Sequence, residues 1–129
     1  MLRTELKKLA ISRLKDAEIL LKSKRYSGAI YICGYAIELG LKNQICKKLK
    51  WADFPPGGSF GKYKSLKTHD LDVLLSFTGK EQKVKSSFLA EWSIVSQWNP
   101  EIRYNPISSV NKQDSLNMIA STQTLLTIL

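Results

Sequence analysis

Apolar positions recur at helical period through most of the chain. Leu6, Ala10, Leu14, Ala17 and Leu21 follow one another at steps of four, four, three and four, which predicts a helix over about Leu2 to Lys22, with Lys7, Lys8, Arg13 and Lys15 on its wet side. The short turn Ser23 to Arg25 sends the next helix back antiparallel. That helix, Arg25 to Leu49, is apolar on more than one face. A surface helix carries one apolar stripe, so one that is apolar nearly all round is the central helix of a helical domain. One of its faces is small, Ala29, Cys33, Ala36 and Gly40, and predicts close approach by the first helix or by a second copy of the chain. The larger Ile30, Ile37, Leu41 and Ile45 fill the core beside it. Glycines at 34 and 40 each cost roughly 1 kcal/mol of helix stability, which close packing offsets.

Beyond the central helix the segments shorten. Trp51 to Tyr63 reads as a loop by its Pro-Pro-Gly-Gly centre. Its GGSFGK run is not a phosphate loop: Gly57 and Gly61 enclose three residues where four are needed, Tyr63 stands where a magnesium-binding hydroxyl belongs, and no strand precedes it. Leu66 to Phe77 predicts a short helix capped by Thr68, with Asp70 and Asp72 in its first turn and Leu71, Leu74 and Leu75 as its contact face. Val84, Phe88, Trp92, Val95 and Trp98 predict one helix from about Lys80 to Trp98, ended by Asn99-Pro100. Glu101 to Pro106 is a connector. Asn111 with Asp114 three residues later caps a last helix, Lys112 to Ile128, with Leu116, Ile119, Gln123 and Leu126 inward. No segment alternates at period two for long enough to form a strand, so the fold class is all-α. With 129 residues and 43% hydrophobic content, residues 1–129 are expected to form a single domain.

Charge adds a partner class to this picture. The net charge is +9, and the first fifty residues hold twelve Lys and Arg against four Asp and Glu, so they carry +8 of it. Such a field attracts phosphate-bearing partners such as RNA or nucleotides, although lysines that merely solvate two helical surfaces give the same count. Cys33 and Cys46 lie thirteen positions apart on one helix, about 20 Å along its axis, and read as free thiols of a reducing compartment. With one histidine in the chain, no metal site and no cofactor are expected. Neither a signal peptide nor a membrane span is expected, and the reading is a cytoplasmic protein.

The order of these signals resembles the prokaryotic HEPN domain. The resemblance rests on RLKDAEILLKSKRYSGAIYICGYAIELGLK with Glu38 and Lys42 one turn apart, on Thr68-His69-Asp70-Leu71 with Leu74, and on Arg103-Tyr104-Asn105-Pro106 before the last helix. It covers nearly the whole chain. It implies an up-and-down bundle of four main helices plus one short helix, usually paired as a homodimer. It also implies one of several roles: a metal-independent endoribonuclease acting as toxin or defence effector, a non-catalytic partner of a minimal nucleotidyltransferase, or a nucleotide-binding module.

The ribonuclease class is built on Arg-x(4 to 6)-His. Counted from Arg103, the histidine falls on Ser108, Ser109 or Val110, so the chain resembles the branch that lacks the motif. Cleavage through the 2′-hydroxyl needs a group that moves protons near neutral pH, for which histidine is best matched. The expectation is therefore a non-catalytic, dimeric nucleotide- or RNA-binding module. Arg103 holds phosphate, Tyr104 stacks or donates, and His69 and Lys42 stand near them with Glu38 and Asp70 in support. The alternatives are a ribonuclease toxin with a degenerate site and a structural dimer or antitoxin-like regulator without ligand. Arg103 paired with Glu38 or Asp70 as a purely structural tie, and His69 bonded to a neighbouring backbone, remain open at the level of sequence.

Overall fold

A computed structural model describes residues 1–129. Two long helices form its spine, α1 (Arg3–Lys22) and α2 (Tyr26–Leu49), joined by a tight turn in which Lys24 adopts a left-handed φ of 60°. α2 is the buried centre, as its all-round apolarity predicts: Ile37, Leu41 and Ile45 are fully buried, and α1 and α6 pack along it. It ends at Lys50, also left-handed (φ 58°, ψ 42°). The chain then returns to the start of α1, where the Arg3 amide donates to the Ala52 carbonyl at 2.9 Å.

The loop after α2 contains two short 3-10 segments, Pro56–Gly58 and Gly61–Leu66, packed by the rings of Trp51, Phe54, Phe60 and Tyr63. The short helix α3 (Leu71–Ser76) buries Leu71, Leu74 and Leu75 as expected, but its cap is Asp70, whose Oδ1 accepts the Val73 amide at 3.2 Å. Thr68 acts one step earlier, accepting the Asp70 amide.

The single helix expected from Lys80 to Trp98 is two, α4 (Glu81–Ser87) and α5 (Leu89–Val95), separated at Phe88 (φ −130°, ψ 31°). In place of a fourth main helix the bundle thus has two of two turns each. A break that restarts the helix at once keeps Val84, Trp92 and Val95 buried, so the apolar spacing survives it. A 3-10 turn, Pro100–Tyr104, and a smaller one at Ile107–Ser109 lead into α6 (Lys112–Leu126), which begins with the expected Asn111–Asp114 capping box.

The inner face of α6 matches the sequence reading at Ile119, which is buried, and at Leu126, which packs on Gly40, and departs from it elsewhere. Leu116 and Gln123 face outward, and Gln123 donates to Glu18. The inner face is Ser115, Met118, Ile119, Thr122 and Leu125. Two hydroxyls lie there on different terms: Ser115 Oγ donates to the Tyr26 carbonyl at 3.0 Å, whereas Thr122 Oγ1 sits beside the Cys33 thiol without a hydrogen-bond partner. The small face of α2 is buried by this helix within the same chain, with Gly40 under Leu126 and Cys33 under Thr122. Both cysteines are free and buried. All regular structure is helical, and no helix is long and apolar enough to cross a membrane.

Candidate functional site

Tyr31, Tyr35, Glu38 and Lys42 recur along α2 at steps of four, three and four, which places them on one face. Glu38 is buried, with 4% of its surface exposed, and both carboxylate oxygens are engaged. Lys42 Nζ donates to Oε2 at 3.1 Å, and His69 Nδ1 lies 2.6 Å from Oε1. A carboxylate only accepts, so Nδ1 carries the proton and Nε2 is the free nitrogen of the ring. The His69 side chain is 57% exposed. An imidazole on the surface is thus held in one orientation by an acid in the core, because the turn Thr68-His69-Asp70 that caps α3 lays the ring against α2.

A second cluster adjoins the first. The Tyr35 ring meets His69 edge-on at 6.3 Å and Trp98 at 5.0 Å, and its hydroxyl lies 3.4 Å from that of Tyr31. Tyr31 in turn stands beside Arg103, whose guanidinium carbon lies 4.8 Å over the Tyr104 ring. The Tyr35 hydroxyl and the Arg103 guanidinium hold the Tyr31 phenol below its ordinary range, while Tyr31 and burial push Tyr35 up to about 12. Tyr104 and Tyr31 raise Arg103 further, so it is charged at every working pH.

Of the residues singled out from sequence, His69, Lys42 and Glu38 therefore meet directly, Arg103 and Tyr104 stack on each other, and Tyr31 and Tyr35 join the two groups. Those tyrosines are what sequence reasoning missed. The signal was present, since they extend the Glu38–Lys42 spacing backward by two steps. Asp70 belongs to the helix cap instead, and Arg103 pairs with neither it nor Glu38. Beside His69 an open cleft runs between Thr68–Asp72 and Ser96–Pro100. With Asp70 and Asp72 on its wall it disfavours an anion, whereas Arg103, at the other end of this face, pairs with no acid. Trp92 and Trp98 are buried core residues whose indole N–H groups donate to Asp72 and to the Tyr31 carbonyl. No protein-family model, no curated protein and no solved structure matches the chain.

Proposed function

We propose that this chain is a non-catalytic binding module for a nucleotide or RNA, with Arg103 as the phosphate contact. The observation that carries the reading is the state of Arg103. Its guanidinium is exposed, permanently charged and free of any carboxylate, and it is flanked by two tyrosines rather than neutralised by an acid. An arginine beside an exposed aromatic ring suits a phosphate with a base next to it. The +9 charge supplies long-range attraction for the same ligands. The resemblance to HEPN domains favours a homodimer and a nucleotidyltransferase as protein partner, and the free thiols favour the cytoplasm. Titrating labelled RNA and ATP into the protein tests the reading: binding at about 0.1 M salt that falls about tenfold or more in Arg103→Ala is expected, and equal binding by both proteins would remove Arg103 from the site.

One observation favours a second reading, a metal-independent ribonuclease. His69, fixed by Glu38 with Nε2 free, supplies the proton-moving group that positions 108 to 110 lack. Metal-free cleavage of RNA by the wild type, abolished in His69→Ala, would establish it, and intact RNA after long incubation would dismiss it.

A further inference from the structure

The end of the bundle where α1 begins and α2 finishes gathers cations from three parts of the chain. Arg3 and Lys7 lie in the first two turns of α1, Lys47 and Lys50 at the end of α2, and Lys80 just before α4. The Arg3–Ala52 hydrogen bond and the Leu2–Asp53 bridge clip the two helix ends together. Between them an open cleft of about 480 Å³ is lined by Arg3, Thr4, Lys47, Lys50 and the half-buried indole of Trp51.

Nothing in the fold neutralises this group. The ion pairs of the structure include none of the five cations. The acids nearest in sequence are engaged elsewhere: Glu81 pairs with Lys85, Glu5 with Lys8, and Asp53 accepts the Gly57 amide through Oδ1. Partial desolvation, then Lys7, Lys80 and Arg3, hold the Lys47 ammonium below its ordinary range, so the charges do feel one another. Compensation of helix dipoles does not account for the cluster. Lysines suit the C-terminal end of α2, but Arg3 and Lys7 sit at the start of α1, where the dipole favours acids.

We propose that this cleft is a second contact for single-stranded nucleic acid, in which Arg3, Lys47 and Lys50 take successive backbone phosphates and Trp51 faces a base. An unneutralised cation cluster around an aromatic ring matches a chain of phosphates with unstacked bases, whereas a lone phosphate would use only part of it. The proposal rests on the nucleotide- or RNA-binding reading and assigns it a surface separate from Arg103.

The test uses a labelled oligouridylate of about 12 nucleotides, within the usual reach of small single-strand binders, titrated against four proteins at several salt concentrations. These are the wild type, Lys47→Gln with Lys50→Gln, Arg103→Ala, and a charge-matched control, Lys15→Gln with Lys83→Gln. All the replaced lysines are exposed, so the fold is undisturbed. The Lys47/Lys50 double variant is expected to bind about tenfold more weakly, with the slope of log affinity against log salt reduced by about two, while the control changes much less. Binding should also quench Trp51 emission, and Trp51→Phe should remove that response because Trp92 and Trp98 are buried. If the Lys47/Lys50 variant binds like the control, the cleft proposal is overturned, and Arg103→Ala then decides the earlier reading alone. If only Arg103→Ala leaves binding unchanged, the Arg103 reading falls and the cleft stands. If the wild type does not bind, both fall.

Discussion

Gly34 lies directly beneath the indole of Trp98, so close that a Cβ built on the glycine would stand 2.0 Å from the ring carbon Cε2. Neither partner is free to move: one is the backbone of the central helix, and the other is anchored by its N–H to the Tyr31 carbonyl at 3.1 Å. Gly34→Ala is therefore expected to lower the unfolding free energy by about 2 kcal/mol or more, despite alanine's better helix propensity. Gly28→Ala meets only Leu20 at 3.6 Å and should gain up to about 1 kcal/mol. At Gly40 the obstacle is the tip of Leu126 at 2.6 Å, a flexible terminus, and the change should fall between the two. Urea denaturation of the three variants checks the ranking, and equal effects would refute the packing argument.

Glu38 is the acid on which Lys42 and His69 converge. Glu38→Ala leaves a partly buried ammonium without its partner and should cost about 2 kcal/mol. Glu38→Gln keeps the shape and one acceptor, and should cost about half as much. His69→Ala removes an exposed ring and should cost under about 1 kcal/mol. Thermal melts give the ordering. The same His69→Ala protein should show narrower changes confined to the Tyr35 side of α2 in an NMR spectrum, and a global collapse would contradict the view of His69 as a surface group.

The buried Cys33 makes stability depend on alkaline pH. Burial pushes its thiol up to about 11 from an ordinary 9.0. A folded-state value above the unfolded one gives stability that is intact below the unfolded value and lost as pH rises toward the folded one, because only the unfolded chain releases the proton in between. Between about pH 9 and pH 11 the unfolding free energy should fall by about 2 kcal/mol. Cys33→Ala should be less stable at neutral pH, owing to a small cavity, yet lack this part of the alkaline loss. Parallel slopes for the two proteins would refute the assignment. A thiol reagent should correspondingly leave Cys33 untouched until the chain unfolds.

The long elements and their ends were legible in the sequence, because α1 and α2 obey the rule that buried positions are apolar and periodic. The Asn111–Asp114 cap was legible for a different reason, since reciprocal side chain to backbone bonds need those residue types three apart. In α6 the reading held for Ile119 and Leu126 and failed for Leu116 and Gln123, because part of the inner face carries hydroxyls. Ser115 is buried with its hydroxyl on a carbonyl and Thr122 is buried beside the Cys33 thiol, and a count of apolar residues therefore prefers the exposed Leu116. The break at Phe88 carries no Gly or Pro, and it leaves the spacing of Val84, Trp92 and Val95 unchanged. At the candidate site, Glu38, Lys42, His69 and Arg103 were visible as residues. Their linkage through Tyr31 and Tyr35 depends on where α3 and the Pro100–Tyr104 turn dock on α2, which no local pattern encodes.

The end of α2 places opposing demands on one position. Lys50 closes the helix in the left-handed region, a conformation that glycine adopts without strain and lysine does not. Lys50→Gly should thus make the fold about 1 kcal/mol more stable while taking a charge away from the cleft beside Trp51. A variant selected only for heat resistance would be steered toward glycine here, whereas one selected for holding a polyanion would keep the strained lysine. A melting temperature that rises while oligonucleotide affinity falls in this single variant would identify Lys50 as a residue whose backbone strain serves binding.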